Sequence, residues 1–240
     1  MRTLCLDLGN TRMKAALFDD GKIIHTEVLE NDGIDKTTEL ITKFHPEKSI
    51  LSSVVHHDPR LEELLMQNTK FHRLNHLSRL NFTVAVGKPE TMGADRLALA
   101  AAMVYFHPEQ HNLVIGLGSC ITYNFINKYH QFLGGGISPG MEMRLKSLRD
   151  YTALLPLVEK EWEFPLIGYD TKTNILSGVI MGMTKEIEGI VEEYRQKYRN
   201  FNVVLTGGDC TYFARLMKNR IFADPDLLYK GLYAISETNN

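Results

Sequence analysis

The chain has 240 residues, 44% hydrophobic and 23% charged, with a formal net charge of −2. That is enough apolar content for one large core or two small ones, and the absence of a basic stretch argues against nucleic acid as the main partner. No apolar run approaches the roughly 20 residues needed to cross a bilayer, so no membrane partner is expected, and the three cysteines, Cys5, Cys120 and Cys210, are scattered, as expected of a cytoplasmic protein without a disulfide framework.

Strands are expected near residues 2–8, 13–18 and 22–29, the last two joined by Asp19-Asp20-Gly21. A short helix follows near 36–44 and stops before Pro46, then a strand at 48–54, a helix near 59–67 and a short strand at Phe71-His72-Arg73-Leu74. Residues 94–106 form an alanine-rich helix suited to close packing between two halves of the chain, and Pro108 with the polar Glu109-Gln110-His111-Asn112 marks a domain boundary. This gives an N-terminal domain over 1–110 and a C-terminal one over 111–240. The second half opens with Leu113-Val114-Ile115, the glycine turn Gly116-Leu117-Gly118-Ser119, and a return strand through Tyr123-Asn124-Phe125-Ile126. A strand near 130–133 leads into Gly134-Gly135-Gly136-Ile137-Ser138-Pro139-Gly140, and a helix starts near Met141. Residues 150–170 read as irregular, a long connection of the kind that is often functional. A long helix covers about 173–198, its core face carried by Ile175, Val179, Ile180, Met183, Ile187, Ile190, Val191 and Tyr194 at helical spacing. Val203-Val204-Leu205 is a buried strand entering Thr206-Gly207-Gly208-Asp209, and a terminal helix runs from about Pro225 to Glu237. Alternating strands and helices make this an α/β layer fold.

Three segments carry chemistry. Asp7-Leu8-Gly9-Asn10-Thr11-Arg12-Met13-Lys14 puts a carboxylate at a strand end, a glycine that lets backbone N–H groups approach an anion, two short polar side chains and a lysine. That set suits a metal–nucleotide phosphate tail; the alternative is an ordinary hairpin with a polar turn. Gly93-Ala94-Asp95-Arg96 precedes a helix. Asp95 is either a carboxylate at a helix N-terminus beside a solvated arginine, or a base that takes a hydroxyl proton beside an arginine that forks a carboxylate. The glycine turn near 116 and the pair Gly207-Gly208 each follow a strand, and a repeated strand–turn–strand unit suggests a duplicated fold. His56, His57, His72 and His76 have no supporting carboxylate or cysteine pattern and read as solvated surface residues; Trp162 caps a substrate cleft or plugs an interface between the halves.

The duplicated arrangement resembles the actin/hexokinase/Hsp70-type ATPase fold, which implies two ribonuclease-H-like domains with a nucleotide cleft between them. More specifically, the order of motifs resembles the type III pantothenate kinase family. Asp7, Gly9, Asn10 and Thr11 match its first phosphate motif; Gly93, Asp95 and Arg96 match its Gly-x-Asp-Arg motif; Gly134 to Gly140 match its Gly-Gly-x-Ile-x-Pro-Gly segment. Leu148, Thr152-Ala153, Leu155-Pro156, Asp170-Thr171, Ser177-Gly178 and Thr206-Gly207-Gly208-Asp209 follow in the family's order.

The resemblance implies ATP-dependent phosphorylation of pantothenate in coenzyme A biosynthesis. It implies that Asp7, Leu8, Gly9, Asn10, Thr11, Arg12, Met13, Lys14, Ser119, Gly207 and Gly208 bind ATP, with Asp7 at Mg2+. Asp95 would be the general base, and Gly93, Ala94, Asp95, Arg96 and Thr171 would hold pantothenate, Thr171 from the partner of a homodimer. A monovalent cation, K+ or NH4+, is implied as well. Two positions depart from the family pattern: Gly116 stands where an aspartate usually begins the second phosphate motif, and Val86 stands where a tyrosine usually precedes Gly93 by seven residues. They motivate two alternatives, a kinase of another small hydroxy acid and a non-catalytic nucleotide-binding regulator. Asp7, Asp95 and Arg96 together speak against the regulator, since a pure binder needs no base beside an anion clamp.

Overall fold

The computed structural model describes residues 1–218 and 221–239. In chain order its elements are β1 (Arg2–Leu8), β2 (Met13–Asp19), β3 (Lys22–Leu29), α1 (Ile34–Phe44), β4 (Lys48–Ser53), α2 (Pro59–Asn68), β5 (Lys70–Arg73), β6 (Thr83–Val84), a 3-10 turn (Pro89–Thr91), α3 (Ala94–Phe106), β7 (His111–Leu117), β8 (Cys120–Ile126), β9 (Gln131–Pro139), α4 (Met141–Asp150), α5 (Thr171–Lys197), β10 (Phe201–Thr206), α6 (Cys210–Leu216), β11 (Phe222–Ala223) and α7 (Leu227–Asn239).

The chain divides into two compact units. The first holds Met1–Glu109, Ile126–Leu133 and the segment from Asp226 on; the second holds Gln110–Phe125 and Gly134–Pro225. A single boundary near residue 110 therefore describes only the first crossing of the chain. The tip of the β8–β9 hairpin and the whole of α7 group with the first unit.

The first unit is built on a sheet of order β3-β2-β1-β4-β5, with β1 antiparallel to β2 and parallel to β4. Leu4, Cys5 and Leu6 are fully buried in this central strand, which is why the sequence there is a continuous apolar run rather than an alternating one. Helix boundaries follow local chemistry. Asp58 accepts a hydrogen bond from the Arg60 N–H and Pro59 opens α2; His45, at φ +48°, closes α1 just before Pro46.

The second unit is organised on a sheet of order β11-β10-β7-β8-β9, with β6 adding in parallel to Gln131 and Phe132 at the start of β9, residues that group with the first unit. Read from β9 inward, this order repeats that of the first sheet: a meander, then strands parallel to its first member. The duplication expected from the glycine turns is thus visible in the topology. One side of this sheet is covered by α5, whose Ile175, Val179, Ile180, Met183, Ile187 and Val191 are all buried as their spacing predicts. Asp170 and Thr173 form a reciprocal cap at its start.

Some elements escape the sequence pattern. β9 continues through the glycines to Pro139 instead of ending near 133, because Gly135, at φ +154°, brings its backbone against the Tyr123 carbonyl where no side chain fits. The two-residue strands β6 and β11 exist only through pairing with distant partners. The alanine-rich α3 packs against α7 of its own unit. Gly231 on α7 lies against the Ala98 carbonyl, so the small residues of α3 admit a neighbouring helix at backbone distance. Gly231→Val should therefore cost about 1–3 kcal/mol of stability through overpacking, read by urea denaturation; an unchanged midpoint would show that the helices need no close approach.

Candidate active site

The first unit gathers most of the expected site residues. Asp7 lies at the end of β1, in register with Lys14 on β2 and Ser52 on β4. The Ser52 hydroxyl donates to Asp7 Oδ1 at 3.3 Å. The chain then turns through Gly9 to Arg12, closed by a Gly9 N–H to Arg12 carbonyl bond of 3.1 Å. The side chains of Asn10, Thr11 and Arg12 are exposed on this turn. Leu8 and Met13 are different: Leu8 is fully buried and Met13 packs on the same apolar cluster, so they can offer a ligand only backbone.

Asp95 and Arg96 occupy the first turn of α3. A side chain on Gly93 would collide with the Asp95 carboxylate and come close to Val54, which gives a physical reason for glycine at the head of this motif. Burial raises the Asp95 carboxyl above its ordinary value, opposed by hydrogen bonding to the Arg96 N–H and by the Arg96 charge. The Arg96 guanidinium stands 5.5 Å from the Phe132 ring centre, and burial lowers its pKa. Asp7 is pushed up to about 7, first by burial and then by the charge of Asp95, with Ser52 and Lys14 pulling the other way. Asp7, Ser52, Lys14, Asp95 and Arg96 therefore form one electrostatic group. Two hard carboxylate oxygens crowded in this way fit a divalent cation, which would relieve their repulsion.

The second unit assembles the other glycine turns. Gly207, at φ +93°, lies against the Leu117 carbonyl where no Cβ fits, and Gly140 is pressed in the same way on the Gly118 and Ser119 carbonyls. The Gly140 N–H donates to the Ser119 carbonyl at 3.0 Å. Ser119 and Gly207-Gly208 are thus parts of one packed structure. Asp209, just after it, is paired with Lys160 at 2.8 Å. Thr171 is exposed at the first position of α5.

Gly116 is in register with Thr206, whose hydroxyl is buried without a hydrogen-bond partner. The buried Asp224 follows β11 beside this strand end, its N–H donating to the Leu205 carbonyl at 2.9 Å. Asn124 is fully buried, and its amide nitrogen donates to the Val114 carbonyl and the Thr122 hydroxyl.

Two side-chain expectations change. His57 is not solvated: it is buried, 3.1 Å from the Ser53 hydroxyl through Nδ1 and 2.8 Å from Glu62 through Nε2. Among the described residues no group of histidine, cysteine and carboxylate side chains could hold a metal on its own. Trp162 packs at a tilt against Tyr212, whose hydroxyl donates to the Trp162 carbonyl at 2.8 Å.

Comparison with known proteins shows the family. The model of the type III pantothenate kinase family matches residues 3–193. The chain belongs to the type III pantothenate kinase family. A type III pantothenate kinase from Christiangramia forsetii is 40% identical over 238 residues, 98% of each chain. Among solved structures, a Baf family protein from Campylobacter jejuni superposes with a TM-score of 0.62 at 22% identity, over 98% of this chain and 97% of that one. The activator of 2-hydroxyisocaproyl-CoA dehydratase from Clostridium difficile, solved with bound ADPNP, gives 0.51 at 13% identity, over 99% and 96%. The fold is that of the actin/hexokinase-like ATPases, and no helix among the described residues is long and apolar enough to cross a membrane.

The raised Asp7 pKa has a consequence for stability. The folded chain holds this proton up to about pH 7, whereas the unfolded chain releases it near 3.8. Asp7 therefore contributes full stability below pH 4, loses it as the pH rises through 7, and is level above. Asp7→Asn should match the parent near pH 4 and be more stable by roughly 2–3 kcal/mol at pH 8 without divalent cation, after discounting for partial exposure. Asp95, shifted in the same direction, leaves a residual slope. Parallel stability–pH curves would contradict the buried-carboxylate account.

Proposed function

We propose that this chain transfers the γ-phosphoryl group of ATP to the hydroxyl of pantothenate, giving 4'-phosphopantothenate, the first step of coenzyme A biosynthesis. The observation that carries the residue assignment is the Asp95–Arg96 pair at the start of α3, with Asp95 in electrostatic contact with Asp7. Phosphoryl transfer needs positioning and charge neutralisation more than covalent chemistry.

In this reading Asp95 accepts the proton of the attacking hydroxyl. Its raised pKa brings it closer to the operating pH, which favours that role. Arg96 forks the pantothenate carboxylate, and the Gly93 and Ala94 backbone shapes the space beside it. The turn from Gly9 to Arg12 and Lys14 hold phosphate oxygens, and Ser119 and Gly207-Gly208 hold the nucleotide from the second unit. Asp7 holds Mg2+, which when bound neutralises phosphate charge. The protein acts in the cytoplasm as a homodimer, and Thr171 contributes to the partner's pantothenate site. With glycine at 116 in place of a carboxylate, K+ or NH4+ activates weakly.

Purified protein with ATP, magnesium and pantothenate should yield a product heavier by one phosphoryl group. Asp95→Asn should lower turnover by roughly 10²–10⁴-fold with nucleotide affinity nearly intact. Arg96→Ala should weaken pantothenate binding by about 2–3 kcal/mol, the scale of a lost charge-assisted pair. Parental turnover in the first variant removes Asp95 from the mechanism, and parental pantothenate affinity in the second removes Arg96. Potassium titrated against a large inert cation at fixed ionic strength should give little activation; strong, saturable activation would overturn the reading of Gly116.

A further inference from the structure

In the second unit a partly buried polar network stands directly behind the Ser119 turn. Arg144 on α4 donates through Nε to the Pro139 carbonyl at 2.8 Å and through its terminal nitrogen to the Ser138 hydroxyl at 3.0 Å. The same guanidinium is paired with Glu186 on α5. Tyr123 on β8 donates its hydroxyl to the other Glu186 oxygen at 3.0 Å. Burial alone would raise the Glu186 carboxyl, but hydrogen bonds from Arg144, Ser138 and Tyr123 hold it below its ordinary value, so the group stays charged and ordered.

The position of this network matters more than its strength. Ser138 and Pro139 lead straight into Gly140, whose N–H holds the Ser119 carbonyl and whose Cα leaves no room for a side chain against Gly118 and Ser119. Arg144 thus reaches back from the first turn of α4 and fixes the segment that braces the turn. Its fork binds one carbonyl, one hydroxyl and one carboxylate at once, which a lysine cannot reproduce.

We propose that Arg144, anchored by Glu186 and Tyr123, is a positioning residue that sets the Ser119 turn for nucleotide phosphate. This rests on the reading of Ser119 as a phosphate contact. Loosening the brace lets the turn sample orientations that do not present its N–H groups, so nucleotide affinity falls while the acceptor site in the other unit keeps its own residues.

The test is calorimetric binding of a non-hydrolysable ATP analogue with magnesium to the parent, Arg144→Met, Arg144→Lys, Glu186→Gln and Tyr123→Phe, with pantothenate kinetics in parallel. Arg144→Met should bind the analogue about tenfold more weakly. Arg144→Lys should recover part of that loss, and Glu186→Gln and Tyr123→Phe should fall between parent and Arg144→Met. KM for ATP should rise while KM for pantothenate stays within about twofold of the parent. Parental nucleotide affinity in Arg144→Met overturns the proposal, as does an equal rise in both KM values. If Arg144→Met does not fold, the single-contact variants Glu186→Gln and Tyr123→Phe decide by the same criteria. A parent that binds nucleotide but leaves pantothenate unmodified overturns the function proposed above and leaves this comparison standing; a parent that binds no nucleotide overturns both.

Discussion

Backbone pressed on backbone, at points where a Cβ cannot fit, is the constraint on which both units depend. Gly231 against Ala98 sets the distance between α7 and α3. Gly207 against Leu117, and Gly140 against Gly118 and Ser119, weld three separate turns into one body. Such contacts use glycine twice: it removes the side chain, and at φ +93° in Gly207 it also accepts a conformation that other residues rarely adopt. The entropic cost of ordering so many glycines is offset by the apolar layers around them, above all the α5 face on the second sheet.

In the first unit the crowding is electrostatic. Burial and the charge of Asp95 disfavour ionisation of Asp7, opposed by Ser52 and Lys14, and burial disfavours that of Asp95, opposed by Arg96. A fold selected for stability alone would not place two carboxylates in this way, since each raised pKa lowers stability at neutral pH. Carboxylates crowded in this way mark a candidate functional site rather than a stabilising feature.

The strand ends and turns that carry chemistry were legible in the sequence because each combines a short apolar run with glycine and polar residues in a fixed order. Asp7 falls at the end of β1, Gly93 directly before α3 and Gly207 directly after β10, as their local patterns indicate. α5 was legible for another reason, since one helical face repeats over seven turns. What the sequence hid is non-local. α6, β6 and β11 are too short to show a period, and β6 and β11 are defined by partners far along the chain. The burial of His57 depends on Glu62 and Ser53 converging from both sides of a turn, which no spacing rule reports. Leu8 and Met13 sit inside a binding motif by sequence but inside the core by geometry, because alternate residues of a strand face opposite ways.

The position of Gly116 follows from the same contrast. A carboxylate there would lie at the end of β7, beside the buried Thr206 hydroxyl and next to the turn that Gly140 and Gly207 enclose. With glycine, β7 adds no carboxylate of its own there, and the turn is held by packing and by the Arg144 network on its far side. Charge that could have been placed at the turn is instead placed behind it, where it is fully paired. An ion pair in that position costs little in desolvation, because both partners keep partial contact with solvent, and its bonds to the Pro139 carbonyl and the Ser138 hydroxyl fix geometry. The turns of the second unit are thus held by packing and by paired charge behind them, whereas the crowded carboxylates belong to the first unit.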